Sequence, residues 1–93
     1  MDASVIKAMA RWPDVPAVYG WLSLDRRGRW CLRGEAVTHR GAVQFINRNY
    51  DHTSDGRWYF QNGPQRVFVD LENPVGMVAG ESIEVRIRFG RVE

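Results

Sequence analysis

Residues 56–71 read Gly56-Arg57-Trp58-Tyr59-Phe60-Gln61-Asn62-Gly63-Pro64-Gln65-Arg66-Val67-Phe68-Val69-Asp70-Leu71. Two runs rich in aromatic and β-branched residues flank an Asn-Gly-Pro turn signal, the pattern of a β-hairpin with strands at Arg57–Gln61 and Arg66–Leu71. Successive strand residues point to opposite faces. One face therefore collects Trp58, Phe60, Val67, Val69 and Leu71, and the other collects Arg57, Tyr59, Gln61, Arg66 and Phe68. The first set is apolar, whereas the second mixes guanidinium groups with rings.

Working upstream, Asp51-His52-Thr53-Ser54-Asp55-Gly56 is a turn-rich loop. Before it, Ala42, Val43, Phe45, Ile46, Asn49 and Tyr50 form a stripe that predicts a helix near 39–50, with Thr38 as its cap. Val18–Leu24 and Arg29–Arg33 read as two strands joined by Asp25-Arg26-Arg27-Gly28, where Gly28 supplies a positive-φ position. In the second of these strands Trp30 and Leu32 point one way, and Arg29, Cys31 and Arg33 the other. Val5, Ala8, Met9 and Trp12 recur at helical spacing after Ser4 until Pro13 stops them. Downstream, Ser82–Phe89 alternates Ile83, Val85, Ile87 and Phe89 against Glu84, Arg86 and Arg88, a half-buried strand.

The resulting expectation is an α+β fold. Its antiparallel, hairpin-rich sheet, in the order β-β-α-β-β-β, packs on one main helix. Residues 1–16 form an N-terminal segment with a short helix, and 17–93 a single domain. The expected core is Trp30, Leu32, Trp58, Phe60, Val67, Val69 and Leu71 with Val43, Phe45, Ile46, Ile83, Val85 and Ile87.

The chain has 93 residues, 44% hydrophobic and 26% charged, which is one domain's worth of ordinary globular composition. That excludes wholesale disorder, a collagen-like repeat and a coiled coil. One cysteine, Cys31, excludes a disulfide framework. With two histidines it cannot make a structural zinc site within one chain. Net charge is +2, yet residues 26–66 carry eight arginines against Glu35, Asp51 and Asp55. Lys7 is the only lysine beside twelve arginines. Arginine suits phosphate and carboxylate recognition and stacking on rings; GC-rich coding sequence is the plainer account of the same bias. No run approaches the ~18 apolar residues of a membrane span, and no apolar leader with a small-residue cleavage site opens the sequence. The expectation is a soluble cytoplasmic protein, a setting in which a lone thiol stays reduced.

The segment 56–71, with Gly20-Trp21-Leu22-Ser23-Leu24-Asp25 before it, resembles a family of small uncharacterised bacterial proteins, mostly proteobacterial. The resemblance covers about residues 11–71. It implies a bacterial, cytoplasmic protein and carries no activity, cofactor or site residue.

Two functions compete for the Arg/aromatic face, Arg29, Arg33, Arg57, Tyr59, Gln61, Arg66 and Phe68. Sheet platforms that bind RNA or single-stranded DNA use rings to stack bases and cations to hold phosphates. The same composition also suits a protein partner or a homodimer. The plain structural reading lays the arginine stems over Tyr59 and Phe68 and pairs them with Asp70 and Glu84. An enzyme is the third class and the least supported. His39 and His52 read as solvated polar residues, Cys31 has no partnering base in the sequence, and Asp51 and Asp55 read as turn residues rather than metal ligands. A smaller candidate is a polar edge of Asn49, Gln61, Gln65 and Arg66, with Asn49 otherwise capping the helix. The expectation is a non-enzymatic interaction module without cofactor or metal. Its partner is a protein or a second copy, the alternative being nucleic acid, with no membrane contact.

Overall fold

The computed structural model describes residues 1–72 and Val78. The elements run α1 (Ala3–Arg11), β1 (Val18–Leu24), β2 (Trp30–Leu32), β3 (Glu35–Ala36), α2 (Arg40–Arg48), β4 (Tyr50–His52), β5 (Trp58–Asn62) and β6 (Gln65–Leu71). The six strands form one sheet in the order β3-β2-β1-β6-β5-β4. The fold is α+β as expected, but the expected element order is corrected. Among the described residues there are two helices, the short α1 and the main helix α2, and β3 and β4 are added. The expected strand Ser82–Phe89 lies outside the described residues.

The β5–β6 hairpin forms where its sequence demands it. Asn62 pairs with Gln65 across a two-residue loop, and Gly63 takes φ 58° there. That left-handed position costs glycine little, and Pro64 supplies the fixed φ that follows. Pairing continues through Phe60 with Val67 and Tyr59 with Phe68, so each face keeps the composition read from the sequence.

The expectation of a purely antiparallel sheet is also corrected, because β1 and β6 run parallel. Strand sense alternates within β1-β2-β3 and within β4-β5-β6, and where these two antiparallel triplets meet, β1 and β6 share a direction. Same-sense strands cannot be joined by a tight turn. The chain therefore crosses from β3 to β4 through α2, from one edge of the sheet to the other. The pairing of β1 with β6 shifts between Val18 and Leu22, around Gly20 at φ 77°. This irregularity lets Val18 and Leu22 both meet β6 valines.

The core lies between α2 and the sheet. Leu22, Leu24, Trp30, Ile46, Val67 and Val78 are buried, with Val18, Val37, Val43, Tyr50, Phe60 and Val69 packed against them. Trp30 also donates its indole N–H to Asn47 Oδ1 at 2.7 Å. Trp58 turns to the same side, half-buried, with its ring 4.8 Å from those of Tyr50 and His52. Phe45 packs edge-on to Phe60. Two expected core residues are corrected: Leu32 is 49% exposed and Leu71 36%. A nine-residue helix is about 13 Å long, whereas six strands span about 24 Å. α2 cannot roof the whole sheet. Leu32 lines the open groove of about 460 Å³ left beside it, with Trp21, Val37 and Ala42. Expected core residues Ile83, Val85 and Ile87 lie outside the described residues.

Helix α2 is shorter than expected. His39, not Thr38, caps it, its Nδ1 accepting from Ala42 N at 3.1 Å. Asn49 ends it, with its own N–H bonded to Ile46 O, and Tyr50 already belongs to β4. Asn49 is fully buried. Its Nδ2 donates to Phe45 O at 2.9 Å and to Asp2 Oδ2 at 3.3 Å, and its Oδ1 accepts from Asp2 N at 2.7 Å. Arg48 reaches the same Asp2 carboxylate at 3.2 Å. These bonds fasten the start of α1 to the end of α2. The cap is Asp2, where the sequence suggested Ser4. Val5 is the residue α1 buries, while Trp12 at its end stays exposed.

Replacing Asn49 by Ala leaves buried donors and acceptors unpaired, which costs about 1–3 kcal/mol. Thermal denaturation followed by circular dichroism is expected to show a melting temperature lower by about 10 °C. The Arg48 and Asn49 hydrogen bonds also hold the Asp2 carboxyl below the usual carboxylate range. A depressed folded-state pKa gives stability that is present above the unfolded value near 4 and is lost as pH falls through the folded one. Asp2→Asn is therefore expected to flatten the acid limb of a melting-temperature-against-pH profile.

Candidate functional site

The face of the sheet turned away from α2 is built by register. Asp51, Tyr59 and Phe68 are partners across β4, β5 and β6, and Gln61 is the partner of Arg66. Asp70 of β6 is the partner of Ser23, which in turn lies opposite Cys31. Directly paired residues share a face, so these side chains stand on one surface.

On that surface the rings and guanidiniums are already assembled. Tyr19 stacks on Phe68 with centroids 5.0 Å apart and planes 9° from parallel. Tyr59 meets Phe68 edge-on at 6.1 Å. Arg57 lies over the Phe68 ring at 4.7 Å, and Arg66 over the Tyr59 ring at 3.8 Å. Arg66 is steadied by its Nε–H bond to Gln61 Oε1 at 3.3 Å, and Gln61 Nε2 donates to Gly63 O. Arg57 is steadied by Asp55 at 3.3 Å. Thr53 also donates its hydroxyl to Asp55, and the two bonds hold that carboxyl below its usual range. Burial pushes the Tyr59 phenol above its ordinary value, against a smaller lowering by Arg66. Tyr19, Arg57, Phe68 and Asp70 line a shallow depression of about 420 Å³.

Five of the seven site residues read from sequence are thus brought together: Arg57, Tyr59, Gln61, Arg66 and Phe68, but Tyr59 and Gln61 are corrected from exposed to buried, at 7% and 2% exposure. Arg29 and Arg33 stand apart from them. Arg29 closes the β1–β2 turn, with Nε 2.9 Å from Asp25 Oδ2. Arg33 follows β2 at φ 52° and lies 4.1 Å over Trp21. The polar edge does not form as one surface. Asn49 and Gln61 are buried, and Gln65 lines the groove beside α2. Sequence reading passed over Tyr19, which is 64% exposed and extends the ring row. Its alternation within Val18–Leu24 was visible, but the pairing of β1 with β6 that brings it to Phe68 was not.

His39, His52 and Cys31 each have a local partner. His39 caps α2, and His52 Nδ1 lies 2.9 Å from Thr53 O. Cys31 is half-buried, with Sγ 3.9 Å from Arg29 O. Among the described residues no three His, Cys, Asp or Glu side chains gather as a metal would require, and no helix is long and apolar enough to cross a membrane.

Against known proteins, residues 1–86 match the family described as "Protein of unknown function (DUF2946)", and the chain belongs to that family. No curated protein and no solved structure matches it.

Arg66 over Tyr59 is a partly desolvated cation–π contact, a class worth about 0.5–2 kcal/mol. Arg66→Ala is expected to lower stability to chemical denaturation by about 1 kcal/mol. Arg66→Lys keeps the charge but not the planar stack and is expected to recover only part of that loss.

Proposed function

We propose that this chain is a non-enzymatic interaction module of the bacterial cytoplasm that contacts protein through Tyr19, Phe68 and Arg57, with Arg66 laid over the buried Tyr59. The observation carrying the proposal is how the guanidiniums are spent. A base-stacking platform needs open ring faces and cations free for phosphate. Here Arg66 occupies a face of Tyr59, while Arg57 and Tyr19 both pack against Phe68. Asp51 and Asp70 share the surface with Arg57 and Arg66, so among the described residues carboxylates stand beside its guanidiniums. Releasing counterions from a polyanion gains little at such a face. A protein surface gains more, because pre-packed aromatic and arginine side chains lose little rotamer entropy on binding and are the types enriched at contact hot spots.

The reading is tested with a fluorescein-labelled single-stranded oligonucleotide titrated at low and physiological salt, beside sedimentation velocity of the protein at rising concentration. The expected result is no oligonucleotide affinity tighter than about 100 µM at physiological salt. Protein association is expected to persist at high salt and to be lost in Tyr19→Ala. Micromolar oligonucleotide binding that collapses as salt rises overturns the reading in favour of nucleic acid.

A further inference from the structure

The opposite side of the sheet, beside α2, carries the open groove of about 460 Å³. It crosses four neighbouring strands, floored by Leu32 of β2, Leu22 of β1, Val67 of β6 and Phe60 of β5. Three strand spacings make it about 14 Å long. Ala42 and Ile46 of α2 form its wall. The volume is that of a small-molecule site. Trp21 and Leu32 stand 46% and 49% exposed in it, so large apolar side chains meet water together rather than singly. The polar groups lie at the two ends. Asn62 and Gln65 close the end at the β5–β6 turn. At the β2 end Arg33 lies 4.1 Å over the Trp21 ring. Its backbone holds φ at 52°, a left-handed conformation that non-glycine residues rarely adopt and that clusters at ligand clamps. The Arg33 side chain is exposed and makes no ion pair among the described residues.

We infer that this groove binds a linear anionic amphiphile, a medium-chain carboxylate whose alkyl tail lies across the four strands and whose head meets Arg33. Charge complementarity sets the head. A guanidinium with no carboxylate of its own, held in direction by the ring beneath it, matches a carboxylate through two parallel hydrogen bonds. The lining sets the tail. An extended peptide of the same length would have about four residues and bring about eight backbone N–H and C=O groups that need partners. Asn62 and Gln65 are the polar side chains of the lining, and both stand at one end. An alkyl chain brings no such groups and gains from every methylene it buries. The groove and the face of Tyr19 and Phe68 lie on opposite sides of the sheet, so filling one leaves the other uncovered.

The test is isothermal titration of the full chain with hexanoate, octanoate and decanoate, each below its micellar concentration. One decanoate per chain is expected to bind with a Kd of about 100 µM or tighter, each two added methylenes tightening binding about tenfold. Arg33→Gly removes the cation and suits the left-handed backbone. It is expected to weaken decanoate at least about tenfold while leaving decanol, which has the same tail and no charge, within about twofold. Ala42→Leu fills the groove from α2 with a good helix former and is expected to abolish binding of both. Circular dichroism checks that each variant is folded. No saturable decanoate binding overturns the inference. So does binding that Ala42→Leu leaves intact, or an equal loss of decanoate and decanol in Arg33→Gly. If decanoate fails to bind and Leu32→Glu abolishes dimerisation in sedimentation velocity, the groove belongs to a second copy. If it fails to bind and Leu32→Glu lowers the melting temperature of a monomer, another part of the same chain fills it.

Discussion

The register of the β5–β6 hairpin is the constraint on which everything else depends. Gly63 and Pro64 close a two-residue loop in which Gly63 holds φ at 58°. That loop fixes Asn62 opposite Gln65 and every pair beyond it. A one-residue slip of β6 against β5 would turn Val67 and Val69 to solvent and drive Arg66 beneath α2, because strand side chains alternate with period two. An unpaired guanidinium in that core would cost more than the burial of a valine returns, at about 1.5–3 kcal/mol for the apolar side chain. The sheet thus has one register in which both faces are satisfied. In it the apolar residues lie under α2, and the guanidiniums lie on rings.

A mismatch of sizes shapes the rest. α2 is too short to roof six strands, so the sheet's apolar face is closed at its centre and open beside β2, where Leu32 and Trp21 line the groove. Arg33 lies across the Trp21 ring there and shields part of it while keeping its charge in water. At the other end of α2 the chain uses polar groups. The fully buried Asn49 satisfies Phe45 O and both the backbone and the carboxylate of Asp2. A buried amide is stable only with its hydrogen bonds made, and Asn49 obtains two of its three partner atoms from the first turn of the chain. The N-terminal helix is thereby held by specific bonds rather than by apolar area, since Val5 is the residue it buries.

Period-two alternation explains which parts of this were legible from the amino-acid order. The inward turn of Trp30, Trp58, Phe60 and Val67, the outward turn of Arg57, Tyr59, Arg66 and Phe68, and the Gly63-Pro64 turn are all local facts, and each could be read. The direction of a neighbouring strand is not local. Nothing in Val18–Leu24 states that its partner will be β6 or that the two run parallel, so Tyr19 stayed unconnected to Phe68. β3 and β4 have two and three residues, too few to show a period. Tyr50 satisfied the helical stripe as well as the strand that it joins. Asn49 was read as a cap, which it is. Its complete burial depends on Asp2, forty-seven residues away.

The arginines show why a charge count along the chain misleads about a surface. The excess between residues 26 and 66 suggested one basic patch. Folding disperses it. Arg29 is bound to Asp25 in a turn, Arg33 lies on Trp21, Arg48 holds Asp2, and only Arg57 and Arg66 reach the ring row. There they stand with Asp51 and Asp70, so among the described residues the formal charges offset one another, while each guanidinium stays fixed in direction by the ring beneath it. A neutral face with fixed donors and acceptors discriminates by geometry rather than by attraction at a distance. On the protein-contact reading proposed above, such a surface would select a partner by where its charges stand rather than by their sum.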